Sequence, residues 1–262
     1  MFRAFPTLLR IGLAEAVAYR AELVIWVLTA TAPLISMFIW DRVAEEGPLG
    51  GWGQGEMARY FLLALIVRHI TSAWVVWELN ENIRTGSLSP MLLRPMHPLV
   101  FFVAQNLSAM PLRAVILAPL IVGVLWWRPE LLWTPEPWTI ALGLVSAVFA
   151  WAIAFAAQVI FGSLAFFSQQ SLGLFNVYFG LWSLGSGYLF PLELAPDWLR
   201  QVLLWLPFRA TLATPVELLA GLVAWEDALG LVAAQVVWAV VFVGLAAMTW
   251  NLGVKRHEAV GA

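Results

Sequence analysis

TIALGLVSAVFAWAIAFAAQVIFGSLAFFSQQSLGLFNVYFGLWSLGSGYLFPL, residues 139 to 192, carries no charged side chain. As a single helix it would be roughly 80 Å long at 1.5 Å per residue, far more than the ~30 Å hydrocarbon core of a bilayer. The run therefore has to fold back on itself, and the polar cluster Ser168, Gln169, Gln170 and Ser171 marks the turn. One span ends near Phe167 and the next begins near Leu172. The whole chain shares this character: 62% of its 262 residues are hydrophobic and 11% are charged, against roughly 25% charged in an average soluble domain. That balance excludes an ordinary water-soluble globule. It also excludes disorder, which needs too little apolar surface to offset chain entropy.

Working outward, uncharged runs and their breaks predict six spans and an all-α polytopic membrane protein of one domain. The first runs from Leu23 to Trp40 and the second from about Tyr60 to Trp77, with Arg68 and His69 inside it. The third lies within Leu99 to Trp127 and carries Arg113 near its middle; the sixth runs from about Ala228 to Leu252. Before the first span, residues 1–22 read as a helix lying in the headgroup plane, with Arg3, Thr7 and Arg10 on one face and Phe5, Leu8, Leu9, Leu13 and Ala16 on the other. Charges interrupt this stretch too often for a cleavable signal. Between the fifth and sixth spans, residues 193–227 hold two short apolar pieces, Trp198 to Leu206 and Val216 to Ala224, broken by Pro196, Pro207 and Pro215. They read as short external re-entrant helices forming a small cap, with Trp198 and Trp205 at headgroup level. Tryptophans at span ends, such as Trp40, Trp77, Trp126, Trp127, Trp138 and Trp250, fit an interfacial belt rather than a binding cage.

Six spans place both termini on one side. That side receives Arg3, Arg10, Arg20, Arg84, Arg94, Lys255 and Arg256 against five acids, while the other receives Arg42, Arg59, Arg128, Arg200 and Arg209 against eleven. The basic excess predicts cytoplasmic termini. Residue counts also exclude chemistries. With no cysteine there is no thiol nucleophile and no thiolate metal site. The single lysine, Lys255, is followed by Arg256, so no Walker A loop exists in the chain. His69, His97 and His257 fit no H-E-x-x-H pair.

The most informative loop lies between spans two and three, residues 80–98, and includes Glu81-Asn82-Ile83-Arg84-Thr85-Gly86-Ser87-Leu88-Ser89-Pro90-Met91-Leu92-Leu93-Arg94-Pro95. Ser89 as cap, Pro90 in the first turn and Pro95 as stop predict a short helix across the cytoplasmic surface. Leu88, Met91 and Leu92 beside Arg84 and Arg94 would be wasted on water, so a partner protein with a matching groove is expected.

The pattern Ile-Arg-x-Gly-x-Leu followed by Leu-Leu-Arg-Pro, here Ile83 to Leu88 and Leu92 to Pro95, resembles the cytoplasmic loop of ABC-2 type permeases, six-span exporter subunits of about this length. Phe190 to Leu199, then Leu206-Pro207-Phe208, Pro215 and Gly221, is similar to that family's external helices. The resemblance implies a permease in the inner membrane of a bacterium. It would pair with a second, identical or related permease and sit on two separately encoded ATPase subunits, which would bind the ATP and Mg. No cofactor would be held by this chain and no nucleic acid is expected; membrane lipids are its other neighbours. The loop would be the coupling helix, with Arg84, Gly86, Leu88, Met91, Leu92 and Arg94 against the ATPase. Spans one, two and five would line the path or the dimer seam, and the cargo would be amphiphilic or lipid-like.

Inside the spans, Arg113 sits where a charge costs at least ~2.5–3.5 kcal/mol, so it is expected against a partner group or a wet cavity. Arg68 and His69 are open to the same two readings, packing or translocation path, as are Asn176 and Tyr178 in the fifth span. Two other functions compete. An intramembrane serine protease or lipid transferase would need a base near Ser186 of Gly185-Ser186-Gly187, and no histidine follows within the span. A stand-alone ion-driven transporter would need inverted repeats and buried acids in the spans, and neither is evident.

Overall fold

The structure is a computed structural model that describes residues 5–18, 28–49 and 52–260, with side chains to residue 14 in the first segment and to 257 in the last. It is an all-α polytopic membrane protein. Its helices are α1 (Phe5–Ala18), α2 (Thr31–Ala44), α3 (Gln54–Thr71), α4 (Val75–Arg84), α5 (Leu88–Leu92), α6 (Pro98–Trp127), α7 (Pro137–Ser163), α8 (Ser171–Gly185), α9 (Asp197–Trp205), α10 (Ala213–Ala220) and α11 (Trp225–Val260). Among the described residues, four segments are long and apolar enough to cross a bilayer: Gln54–Arg84, Pro98–Trp127, Pro137–Phe166 and Trp225–His257. The start of the expected first span, together with Arg3, Arg20 and Glu22, lies outside the described residues. The fifth, α8, has 15 residues, about 22 Å of helix, and the chain then continues as irregular backbone from Ser186. The expected turn stands where the polar cluster placed it, between a 3-10 turn at Leu164–Phe166 and the start of α8 at Ser171.

Helix α7 is the hub, packed against α3, α4, α8, α10 and α11. The segment Gln54–Arg84 is the central one: 72% of its apolar window is buried inside the protein, against 28%, 39% and 22% for the other three. That position explains how it holds Arg59, Arg68 and His69. It also explains a feature that departs from the expected continuous span. After Thr71 the helix stops, Ser72 turns extended, and α4 starts only at Val75. The break lies level with the middle of α6, because Arg113, halfway along that helix, reaches it.

Backbone groups freed at membrane depth have no water to turn to and must be satisfied by protein. Three neighbours do so. Arg113 Nη1 donates to the Ser72 carbonyl at 2.6 Å, and Asn106 Nδ2 donates to the same oxygen at 3.2 Å. Gln158 of α7 bridges the gap with both ends of its amide, Nε2 donating to the Ala73 carbonyl and Oε1 accepting from the Val76 N–H at 3.2 Å. Trp151 Nε1 holds Asn106 in place through a 2.7 Å bond to Oδ1. Arg113 is thus a structural carbonyl ligand.

The residues expected to form an external cap behave differently from one another. Helix α9 leaves Trp198 and Trp205 exposed, as a headgroup-level helix should. Helix α10 begins three residues earlier than expected and is sunk between α3 and α7, with Val216, Glu217 and Leu218 buried. Glu217 can be buried because Arg209 Nη2 donates to its Oε2 at 2.6 Å. Close by, Tyr60 donates to the Gly187 carbonyl at 2.8 Å. Gly187 has φ +85°, and a Cβ there would collide with the Tyr60 hydroxyl, so both its conformation and its contact demand glycine. At this end Arg128 bridges Asp41, at 2.8 Å, and Glu130, and holds the Glu130 carboxyl below the usual carboxylate range.

Helix α1 leans on the first half of α6. Its contact runs through buried Gly12, against Ser108 and Gln105, with Leu8 and Leu9 half-buried. Leu13, expected on the same apolar face, is exposed, as is Ile11.

These contacts set the stability of the bundle. Gln158→Leu should cost about 1–3 kcal/mol for each orphaned backbone group, read as an earlier unfolding midpoint in a dodecyl sulfate titration of the micellar protein; an unchanged midpoint would contradict the bridge. Arg209→Met should cost about 3–5 kcal/mol in the same titration by stranding Glu217, and adding Glu217→Leu should restore most of it.

Candidate functional site

Two regions carry the residues singled out from the sequence. The first is the loop between α4 and α6. Gly86 has φ +77°, the left-handed conformation that lets the chain reverse after Arg84, and α5 begins directly afterwards. Its cap position is Ser87, so Ser89 and Pro90 sit inside the first turn. Ser89 has another role: its hydroxyl lies 3.1 Å from His257 Nε2 at the end of α11.

The side chains expected to face a partner separate into two groups. Leu88 is completely buried, packed in a cluster with Leu79, Ile83 and Phe102, and Met91 and Leu92 are half-buried on the same cluster. These three therefore seat the loop on its own protein, a correction to the expectation that they project into a groove elsewhere. Arg84 and Arg94 are exposed, as is Leu93 between them, along with the small polar and proline residues of the loop. Leu93, absent from the expected set, is 88% exposed. In the sequence it differs from its neighbours Met91 and Leu92, both half-buried, only by its place on the helix turn. The loop is also fastened sideways, with Arg84 donating to the Gln169 carbonyl and Asn80 to Ser171, both in the α7–α8 turn. A rigid platform results, formed by α5, the α7–α8 turn and the end of α11.

The second region is a cavity of about 300 Å³ beside the α3–α4 break. It gathers Arg68, Asn176 and Tyr178, three of the five intramembrane residues singled out from the sequence. Arg68 lies over the Trp182 ring at 4.8 Å and over Phe179 at 5.9 Å, a placement worth roughly 0.5–2 kcal/mol per contact. Trp74 and Trp77 form another wall, with their rings 5.1 Å apart. Tryptophans thus do line a cavity here, against the belt reading for Trp77. Trp250, also assigned to the belt, is buried against Phe166 and His97. Trp126 and Trp127 are exposed as a belt requires.

His69 and Arg113 lie elsewhere. They line a separate apolar cavity of about 220 Å³ with Ile66, Leu117 and Ile121. Neighbours on one helix, Arg68 and His69 look into different cavities, and His69 Nδ1 is 2.9 Å from the Leu65 carbonyl of its own helix. Ser186 is buried, and its hydroxyl has no hydrogen-bond partner among the described residues, so no base is poised against it.

Comparison with known proteins bears on the family of the chain. The profile of the family described as ABC-2 family transporter protein matches residues 5–261. No curated protein and no solved structure matches the chain. With nearly the whole length covered by that profile, the chain belongs to the ABC-2 transporter family, as a membrane permease subunit of an ABC transporter.

Proposed function

We propose that this permease exports an amphiphilic, lipid-like molecule from the cytoplasm of a bacterium, driven by a separate pair of ATPase subunits docked on the α4–α6 loop. In this reading the loop and both termini are cytoplasmic, the permease works as a pair with an identical or related chain, and ATP and Mg reside in the ATPase. The observation that carries the reading is the construction of the loop: an exposed edge of Arg84, Leu93 and Arg94, mounted rigidly through buried Leu88 on the helix that ends at the α3–α4 break.

The chain of contacts suggests how the work is transmitted. Force on α5 passes through Leu88 to Leu79 and Ile83 of α4. Helix α4 joins α3 through the non-helical residues Ser72 to Trp74, and Ala73 and Trp74 are cavity walls. A tilt of α4 about this break changes the shape of the cavity without unwinding a helix. ATP binding favours one arrangement and hydrolysis resets it, a population shift that requires the ATPase to bind the two arrangements with different affinity. The cavity walls set aromatic rings, Trp74, Trp77, Phe175 and Trp182 among them, beside polar side chains that include Arg68, Gln158 and Asn176, a mixture that suits an amphiphile.

The test separates surface from seat. Leu93→Asp and Arg94→Glu change exposed groups and should move stability by no more than about 0.5 kcal/mol, yet they should abolish co-purification of a P-loop ATPase from native membranes and the vanadate-sensitive hydrolysis that comes with it. Leu88→Ala should instead lower the stability of the permease itself by about 2–5 kcal/mol. Full ATPase recovery and normal export with both exposed-edge variants would refute the docking site.

A further inference from the structure

We propose that Arg68 is the headgroup anchor of the membrane cavity, and that its ligand is an amphiphile with an anionic phosphate or carboxylate head. The inference rests on reading that cavity as the substrate site, and it narrows the cargo from amphiphiles in general to anionic ones.

Arg68 is the one charged residue among the described cavity-lining residues. Its described contacts are the rings of Trp182 and Phe179; among the described residues it has no hydrogen bond and no ion pair. Stacking on rings uses the face of a guanidinium and leaves its five N–H donors unused. This distinguishes half-buried Arg68 from the two buried arginines, since Arg113 donates to the Ser72 carbonyl and Arg209 to the Glu217 carboxylate. A cation with unused donors in a cavity on a membrane span is matched by an anion that accepts two hydrogen bonds side by side, as phosphate and carboxylate do. The Asn176 amide lines the same cavity and supplies a further donor.

The remaining walls suit the hydrocarbon attached to such a head. Trp74, Trp77, Phe175 and Tyr178 offer ring faces and edges to an alkyl chain. A volume of about 300 Å³ lies at the lower end of the ~300–1,000 Å³ typical of ligand sites, enough for a head and the first part of a chain. The aromatic stack beneath Arg68 also fixes where the guanidinium sits, so that it meets the head in a set orientation rather than reaching for an interface.

The experiment is a binding titration of the purified permease in nanodiscs of zwitterionic lipid, followed by tryptophan fluorescence, with three probes of equal chain length: dodecyl phosphate, dodecanoate and dodecyltrimethylammonium. At least one anionic probe should bind tenfold or more tightly than the cationic one, and the ranking of phosphate against carboxylate identifies the head. Arg68→Gln should erase the preference, while Arg68→Lys should keep a good part of it. As a second readout, the preferred anion should raise the thermal midpoint of the natural protein and leave that of Arg68→Gln unchanged. Equal affinity for anionic and cationic probes in the natural protein would overturn the proposal. So would a preference that survives Arg68→Gln in a variant that still unfolds cooperatively. No ATPase enters this measurement, so loss of headgroup preference with intact ATPase coupling refutes the anchor alone, and loss of coupling with intact preference refutes the exporter reading alone.

Discussion

Three residues of non-helical backbone, Ser72 to Trp74, sit level with the middle of α6, and the placing of much else is tied to the need to satisfy them. In hydrocarbon an unpaired carbonyl costs several kcal/mol, so such a break survives only on the most enclosed helix. This accounts for the order of the bundle. The broken segment is central, α6 approaches with Asn106 and Arg113, and α7 approaches with Gln158. A polar residue on a membrane helix is expensive unless it is spoken for. These three are spoken for by the same short stretch of chain.

The break also joins the loop and the cavity. On one side, α4 carries the seat of the exposed loop through Leu79 and Ile83. On the other, α3 carries Arg68 into the cavity. Gln158 belongs to both worlds, bridging the break while lining the cavity. A continuous helix would transmit a push along its axis as a rigid rod. Two helices with a hydrogen-bonded joint allow one to tilt while the other keeps its packing against α2 and α10. That geometry favours discrete alternatives over gradual bending, because the side-chain bonds at the joint are either made or remade.

Much of this was legible in the residues. The uncharged run from 139 to 192 forced a hairpin of helices, and its polar turn lies where those residues lie. The loop motif predicted a short helix, and α5 stands within it. What was not legible has one recurring cause: periodicity reports that a face is apolar but not what covers it. Leu88 and Leu93 look alike in the sequence, and only the packing of α4 and α6 decides that one is buried and the other exposed. The same holds for α10, whose apolar residues suit an interface as well as a core; the buried Arg209–Glu217 pair fixes the choice. The break itself has no glycine or proline to announce it. Its signal was indirect, in the polar residues Asn106, Arg113 and Gln158 on other helices, each matched to a backbone partner.

Three arginines, two of them buried and Arg68 half-buried, divide along the same line. From sequence, Arg68, Arg113 and Arg209 differ only in how deep they lie. In the fold each meets a different class of partner: aromatic faces, a backbone carbonyl and a carboxylate. The carbonyl ligand is explained once the break is known, because it shares the freed Ser72 carbonyl with Asn106. The carboxylate pair is explained once α10 is known to be buried, because each charge makes the other tolerable. Ring faces offset part of the charge of the third but accept from none of its donors, and the space beside it is a cavity rather than packed side chain. Two of the three arginines meet hydrogen-bond acceptors of the protein itself, whereas among the described residues the third meets ring faces and the open side of a cavity.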